Sequence, residues 1–151
     1  MNRKQFLMSS LSGLTLTLAS NTMLQSKGIL DPEPYKLEIV KEFVSVGHGD
    51  FVRLKALYNE YPNLIYSAYD WGNGDFETDL EAAGHVGNQE IANFLIEAGA
   101  RPNIFVMTML GKTKWVKTIL EELPALLNSK GPHGFTLLHH AQKGAKTPKN
   151  S

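Results

Sequence analysis

The chain has 151 residues, 15 lysines and arginines against 15 aspartates and glutamates, a formal net charge of zero, and no cysteine. That length suffices for one domain with a sizeable core. The charge balance gives no electrostatic footprint for nucleic acid or an anionic membrane surface, and the missing thiols exclude disulfides, thiolate metal sites and cysteine nucleophiles.

Residues 1–20, MNRKQFLMSSLSGLTLTLAS, have a basic start (Arg3, Lys4), an apolar middle from Phe6 to Ala19 and small residues at the end. This is the layout of an export signal. Ser9, Ser10, Ser12, Thr15 and Thr17 make the middle a poor membrane span. Arg3 to Met8 is similar to the twin-arginine export motif, with Lys4 in place of the second arginine. The reading is a periplasmic protein, cleaved near Ala19 or Ser20, with no lipoprotein anchor and no stable membrane insertion of the mature chain. Residues 21–35 carry two prolines among polar side chains and read as a linker.

From residue 36 to 145 the chain alternates between short helical patterns and glycine-containing breaks. Leu37, Val40, Phe43 and Val44 share one helical face, and Gly47-His48-Gly49-Asp50 interrupts it. Phe51, Leu54, Leu57 and Tyr58 form a second face that ends near Pro62. Leu80, Ala83 and Val86, a break at Gly87-Asn88, then Ile91, Phe94, Leu95 and Ala98 make the clearest pair, stopped by Gly99. A third pair runs from Phe105 to Leu110 and, after Gly111, through Val116, Ile119 and Leu120. The last unit begins at GPHGFTLLHHAQKG and gives way to a polar tail, 146–151, read as disordered. No sustained period-two alternation is present, so no real sheet is expected. Helices this short must bury a face against neighbours, which is the pattern of a stacked repeat protein.

Residues 78–103, TDLEAAGHVGNQEIANFLIEAGARPN, resemble the ankyrin repeat at Thr78, Leu80, Ala83, Gly87, Ile91, Leu95, Gly99, Ala100 and Asn103. The last unit is similar at Gly134, Thr136, Leu138, His139 and Ala141. The first matches at Gly49, Leu54 and Leu57, and the third at Gly111, Val116 and Leu120. The resemblance implies an all-α stack of about three and a half helix-turn-helix units. It gives His139 an architectural role, tying one unit to the next through backbone. Thr78 with Glu81 is expected to form a capping box, and Gly87, Gly99 and Gly111 left-handed helix ends.

Local spacing supplies no chemistry. Adjacent His139 and His140 cannot form the i, i+4 pair of a metal helix. The acidic run from Asp70 to Glu81 fails the calcium-loop spacing, because Asp75 stands where that loop needs glycine. It reads instead as a solvated turn with acids at a helix N-terminus. No phosphate loop, nucleophile elbow or local triad is present, so no metal, cofactor or catalytic residue is expected. Trp115 is expected in the core, while Trp71 and Phe76 either pack down or stand out as contacts.

The resemblance implies binding through turn tips and the inner face of the first helices. Carried onto this sequence, the candidate partner-binding residues are His48, Asp70, Trp71, Gly74, Asp75, Glu77, His85, Val86, Met109, Leu110, His133 and Phe135. The expectation is a non-catalytic module binding another exported protein. The alternatives are a hydrolase-like enzyme using the acidic 70–81 loop with His85, or a structural, self-associating protein.

Overall fold

The structure, a computed structural model, describes residues 32–146. Residues 1–20, read as an export leader, most of the segment read as a linker and the tail beyond Lys146 lie outside the described residues. The elements all belong to a unit that begins at Pro34. It is all-α apart from one short hairpin.

The chain opens with α1 (Leu37–Val46), which buries Phe43 and Val44, and α2 (Phe51–Glu60), which buries Leu54 and Leu57. Asp50 starts α2 by accepting the Arg53 backbone N–H at 3.0 Å. After a 3-10 turn at Pro62–Tyr66, β1 (Ala68–Asp70) pairs antiparallel with β2 (Phe76–Thr78), placing Tyr69 opposite Glu77. Gly72, Asn73 and Gly74 all take positive φ in the turn between them. The expectation of no sheet is therefore corrected. Strands of three residues are too short for alternation to register, and the tight glycine turn supplies the reversal.

β2 runs straight into α3 (Asp79–Val86). The capping box forms as expected: Thr78 Oγ1 accepts the Glu81 N–H, and the Glu81 carboxylate accepts the Thr78 N–H at 2.9 Å. Gly87 ends the helix at φ 86°, and α4 (Gln89–Glu97) follows, capped by Asn88. Asn103 caps α5 (Ile104–Met109) and donates its amide to Glu81 Oε1 at 2.6 Å, so the start of one unit is tied to the start of the previous one. The chain continues through α6 (Thr113–Glu122), 3-10 turns at Pro124–Asn128 and Pro132–Gly134, and α7 (Leu137–Lys146).

Packing follows a repeat-like scheme. α1 lies against α3, α3 against α5, and α5 against α7, while α2, α4 and α6 each pack on the helix before them. Small residues permit the close approach of the first helices: a side chain at Gly84 would press on Val106, and one at Gly144 would collide with the Met109 carbonyl. The main core gathers Phe43, Leu54, Leu64, Leu80, Ile91, Leu95, Val106 and Met109. Trp115 is not part of it. It is partly exposed at 39%, and α6 has no buried residue, because nothing described covers its outer side.

A candidate metal centre

Four segments far apart in sequence deliver ligating side chains to one place. His48 comes from the break after α1, Glu77 from β2, His85 from the end of α3 and His133 from the last 3-10 turn. One ligating atom from each lies within 4.8 Å of all the others.

The local fold explains each placement. His48 follows Gly47, where any side chain would run into Asp79, so only glycine lets the break lie flat against α3. Strand alternation turns Glu77 inward while its neighbour Phe76 points out, 60% exposed. His85 sits on the buried face of α3. His133 takes φ 57°, and its backbone N–H donates to Asp75 Oδ1 at 2.8 Å, which pins the turn onto the hairpin.

Tautomers follow from the partners. His48 Nδ1 lies 3.0 Å from the Ser45 carbonyl, which only accepts, so Nδ1 carries the proton and Nε2 presents its lone pair inward. His133 Nδ1 lies 2.8 Å from Asp75 Oδ2. The His133 backbone bond, opposed by slight desolvation and helped by the His133 ring, holds Asp75 below the ordinary carboxylate range. It is an acceptor there, and His133 Nε2 also presents a lone pair. Glu77 is fully buried. Burial alone would push its carboxyl up, but His85, the Trp71 N–H and nearby His48 outweigh this and hold it below its usual range. Trp71 Nε1 donates to Oε2 at 2.8 Å. Oε1 lies 2.8 Å from His85 Nε2 and 3.3 Å from His133 Nε2, so imidazoles are what it faces.

The inward atoms therefore include two imidazole lone pairs and a buried carboxylate oxygen. The remaining imidazole, His85 Nε2, is 3.1 Å from His48 Nε2. A single proton on it can serve His48 or Glu77 but not both. The other acceptors are left facing the buried Glu77 carboxylate, an arrangement that a cation would relieve. The outer contacts (carboxylate behind His133, backbone carbonyl behind His48, indole N–H behind Glu77) are the supports that orient metal ligands. Three imidazoles and one carboxylate suit a first-row transition ion, zinc foremost, over calcium or magnesium.

Asp79 lies alongside, buried, with neither carboxylate oxygen hydrogen-bonded. Burial and then the charge of Glu77 raise it to about 8, so it is a neutral acid at pH 7. The acidic run is thus not a solvated turn throughout, because two of its five carboxylates are buried at the base of the hairpin. The strand alternation and the close approach of Gly47 put them there.

The structure brings His48, Trp71, Asp75, Glu77, His85 and His133 together, with Phe135 stacked on His85 at 5.1 Å. Asp70 is exposed and accepts the Gly72 N–H within the hairpin turn. Gly74 lies in that turn at φ 80°, and Val86 is half-buried at the end of α3. Met109 and Leu110 lie elsewhere, in a groove of about 860 Å³ between α5, α6 and α7. His139 Nε2 donates to the His85 carbonyl at 2.8 Å, and His140 is buried with Nδ1 on the Thr136 carbonyl. Neither points its ring nitrogen into the cluster. What the local motifs missed is the convergence of the ends of successive first helices: His48 lies just past the end of α1 and His85 in the last turn of α3, and α1 packs on α3. No family model, curated protein or solved structure matches the chain.

Proposed function

We propose that this chain is a metalloprotein that holds one first-row divalent ion, zinc foremost, through His48, Glu77, His85 and His133. Metal-assisted hydrolysis is the chemistry that such an ion supports at neutral pH. The observation that carries this reading is the fully buried Glu77 carboxylate, whose Oε1 is met by two imidazole nitrogens at 2.8 and 3.3 Å. It takes the acidic hairpin as the working part of the molecule, with Glu77 as ligand and Asp75 behind His133.

The scaffold is read as an ankyrin-like stack. Support comes from the capping box at Thr78, the left-handed glycines and the row of first helices. The signal-like pattern of residues 1–20 supports a periplasmic location. A second reading, a docking module for another exported protein, draws on exposed Phe76 and half-exposed Trp71 beside the cluster.

The test is metal content. Protein refolded with zinc and dialysed should retain one equivalent, and Glu77→Gln or His85→Ala should retain far less. Equal retention by all three would sink the centre. Turnover of ester or phosphoester substrates that is abolished by chelator and restored by zinc would establish the hydrolytic role. A metal-loaded protein without turnover would favour docking.

A further inference from the structure

The four ligands are not equally enclosed. The side chain of Glu77 is fully buried and that of His85 is 10% exposed, whereas His48 and His133 are 31% and 29% exposed. Two ligands form a floor and two form a rim.

The rim carries a cation. Trp71 packs edge-on against His48 at 6.5 Å and lies 6.2 Å from His133. Lys41 Nζ rides over the same indole at 6.0 Å and over Tyr69 at 5.6 Å, with no carboxylate partner among the described residues. The carboxylates nearest the ion are already engaged, Glu77 as ligand and Asp75 on His133 through both oxygens. A divalent ion with one anionic ligand retains net positive charge, and Lys41 adds to the field on the open side.

We propose that the centre keeps a coordination position open on its solvent side, between His48 and His133, and that this position takes a small anionic ligand such as a carboxylate. Trp71 walls the position and Lys41 draws the anion toward it. This rests on the metal reading above and separates a working centre from a purely structural ion.

Cobalt(II) in place of zinc makes the position visible, because its absorption bands respond to each ligand gained. The full chain loaded with cobalt(II) is titrated with azide, then with acetate. A saturable spectral change with each anion is expected, and zinc should erase it by displacing the cobalt. In Lys41→Met the anions should bind ~5-fold more weakly, with cobalt affinity unchanged. Cobalt that binds but shows no response to either anion would overturn the open position and leave the metal centre standing. An anion response of undiminished affinity in Lys41→Met would overturn the role of Lys41. No cobalt binding at all would overturn the metal reading itself.

Discussion

Asp75 commits both carboxylate oxygens to His133, one to its backbone and one to its ring. It thereby orients the His133 ring, a ligand of the proposed centre, without itself being one of the four ligands. Removing such a partner typically lowers metal affinity ~10–100-fold. Asp75→Asn should show a loss of that size in competition with a chromophoric chelator, and an unchanged affinity would deny Asp75 that role. His140 belongs to the core rather than the site, and burial, partly offset by its bond to Thr136, lowers its pKa from 6.5. The folded state then holds less proton than the unfolded chain just below pH 6.5. The stabilisation from this residue is complete above that value and is lost as pH falls through the lower folded value. Denaturant melts of metal-free protein should show a smaller loss between pH 7 and 5 in His140→Asn than in the native chain. Parallel losses would rule His140 out as the source.

Short helices are set by their ends, and the ends were the most legible part of this sequence. Thr78 with Glu81, and the glycines at 87, 99 and 111, announced caps and stops that the structure contains. The Glu81 carboxylate also receives the Asn103 amide, so Thr78 begins a chain of bonds reaching the next unit. Thr78→Ala should cost ~1 kcal/mol in chemical denaturation. The hairpin was not legible, since three residues per strand give no usable period. Nor was the exposure of Trp115: periodicity shows that α6 has an apolar face but not whether anything covers it. Gly144 offers a sharper test of the packing of α7 on α5. Alanine is favoured over glycine within a helix, so propensity alone predicts stabilisation by Gly144→Ala. The Met109 carbonyl stands where the methyl would go. The variant should instead lose ~1–3 kcal/mol, and a gain in the denaturation midpoint would contradict the close approach.

Taken as a whole, the molecule unites residues that no local pattern joins. His48, just past α1, and His85, in the last turn of α3, meet because those helices pack together, and His133 reaches them from the last unit. Reading for partner contacts placed all three on one rim, but reading for metal motifs looked only along single helices and found nothing. The stack itself creates the proximity. An ion bound only by the folded form stabilises it by mass action, about 4 kcal/mol at a thousandfold excess over Kd. Zinc should therefore raise Tm for the native chain and leave Glu77→Gln nearly unmoved, as calorimetry would show.

The last ligand also sets a timetable. Glu77 and His85 are eight residues apart and can meet as soon as the hairpin and α3 form, whereas His133 lies 85 residues beyond His48. At the proposed centre, a growing chain would offer an ion at most a partial grip until the turn at His133 has docked on the hairpin through Asp75. Ion capture would therefore be a late event, slowed by the long loop that must close first. If the proposed centre holds, chains cut before His133 should retain metal weakly, and a firmly loaded ion would report that folding has reached the last 3-10 turn.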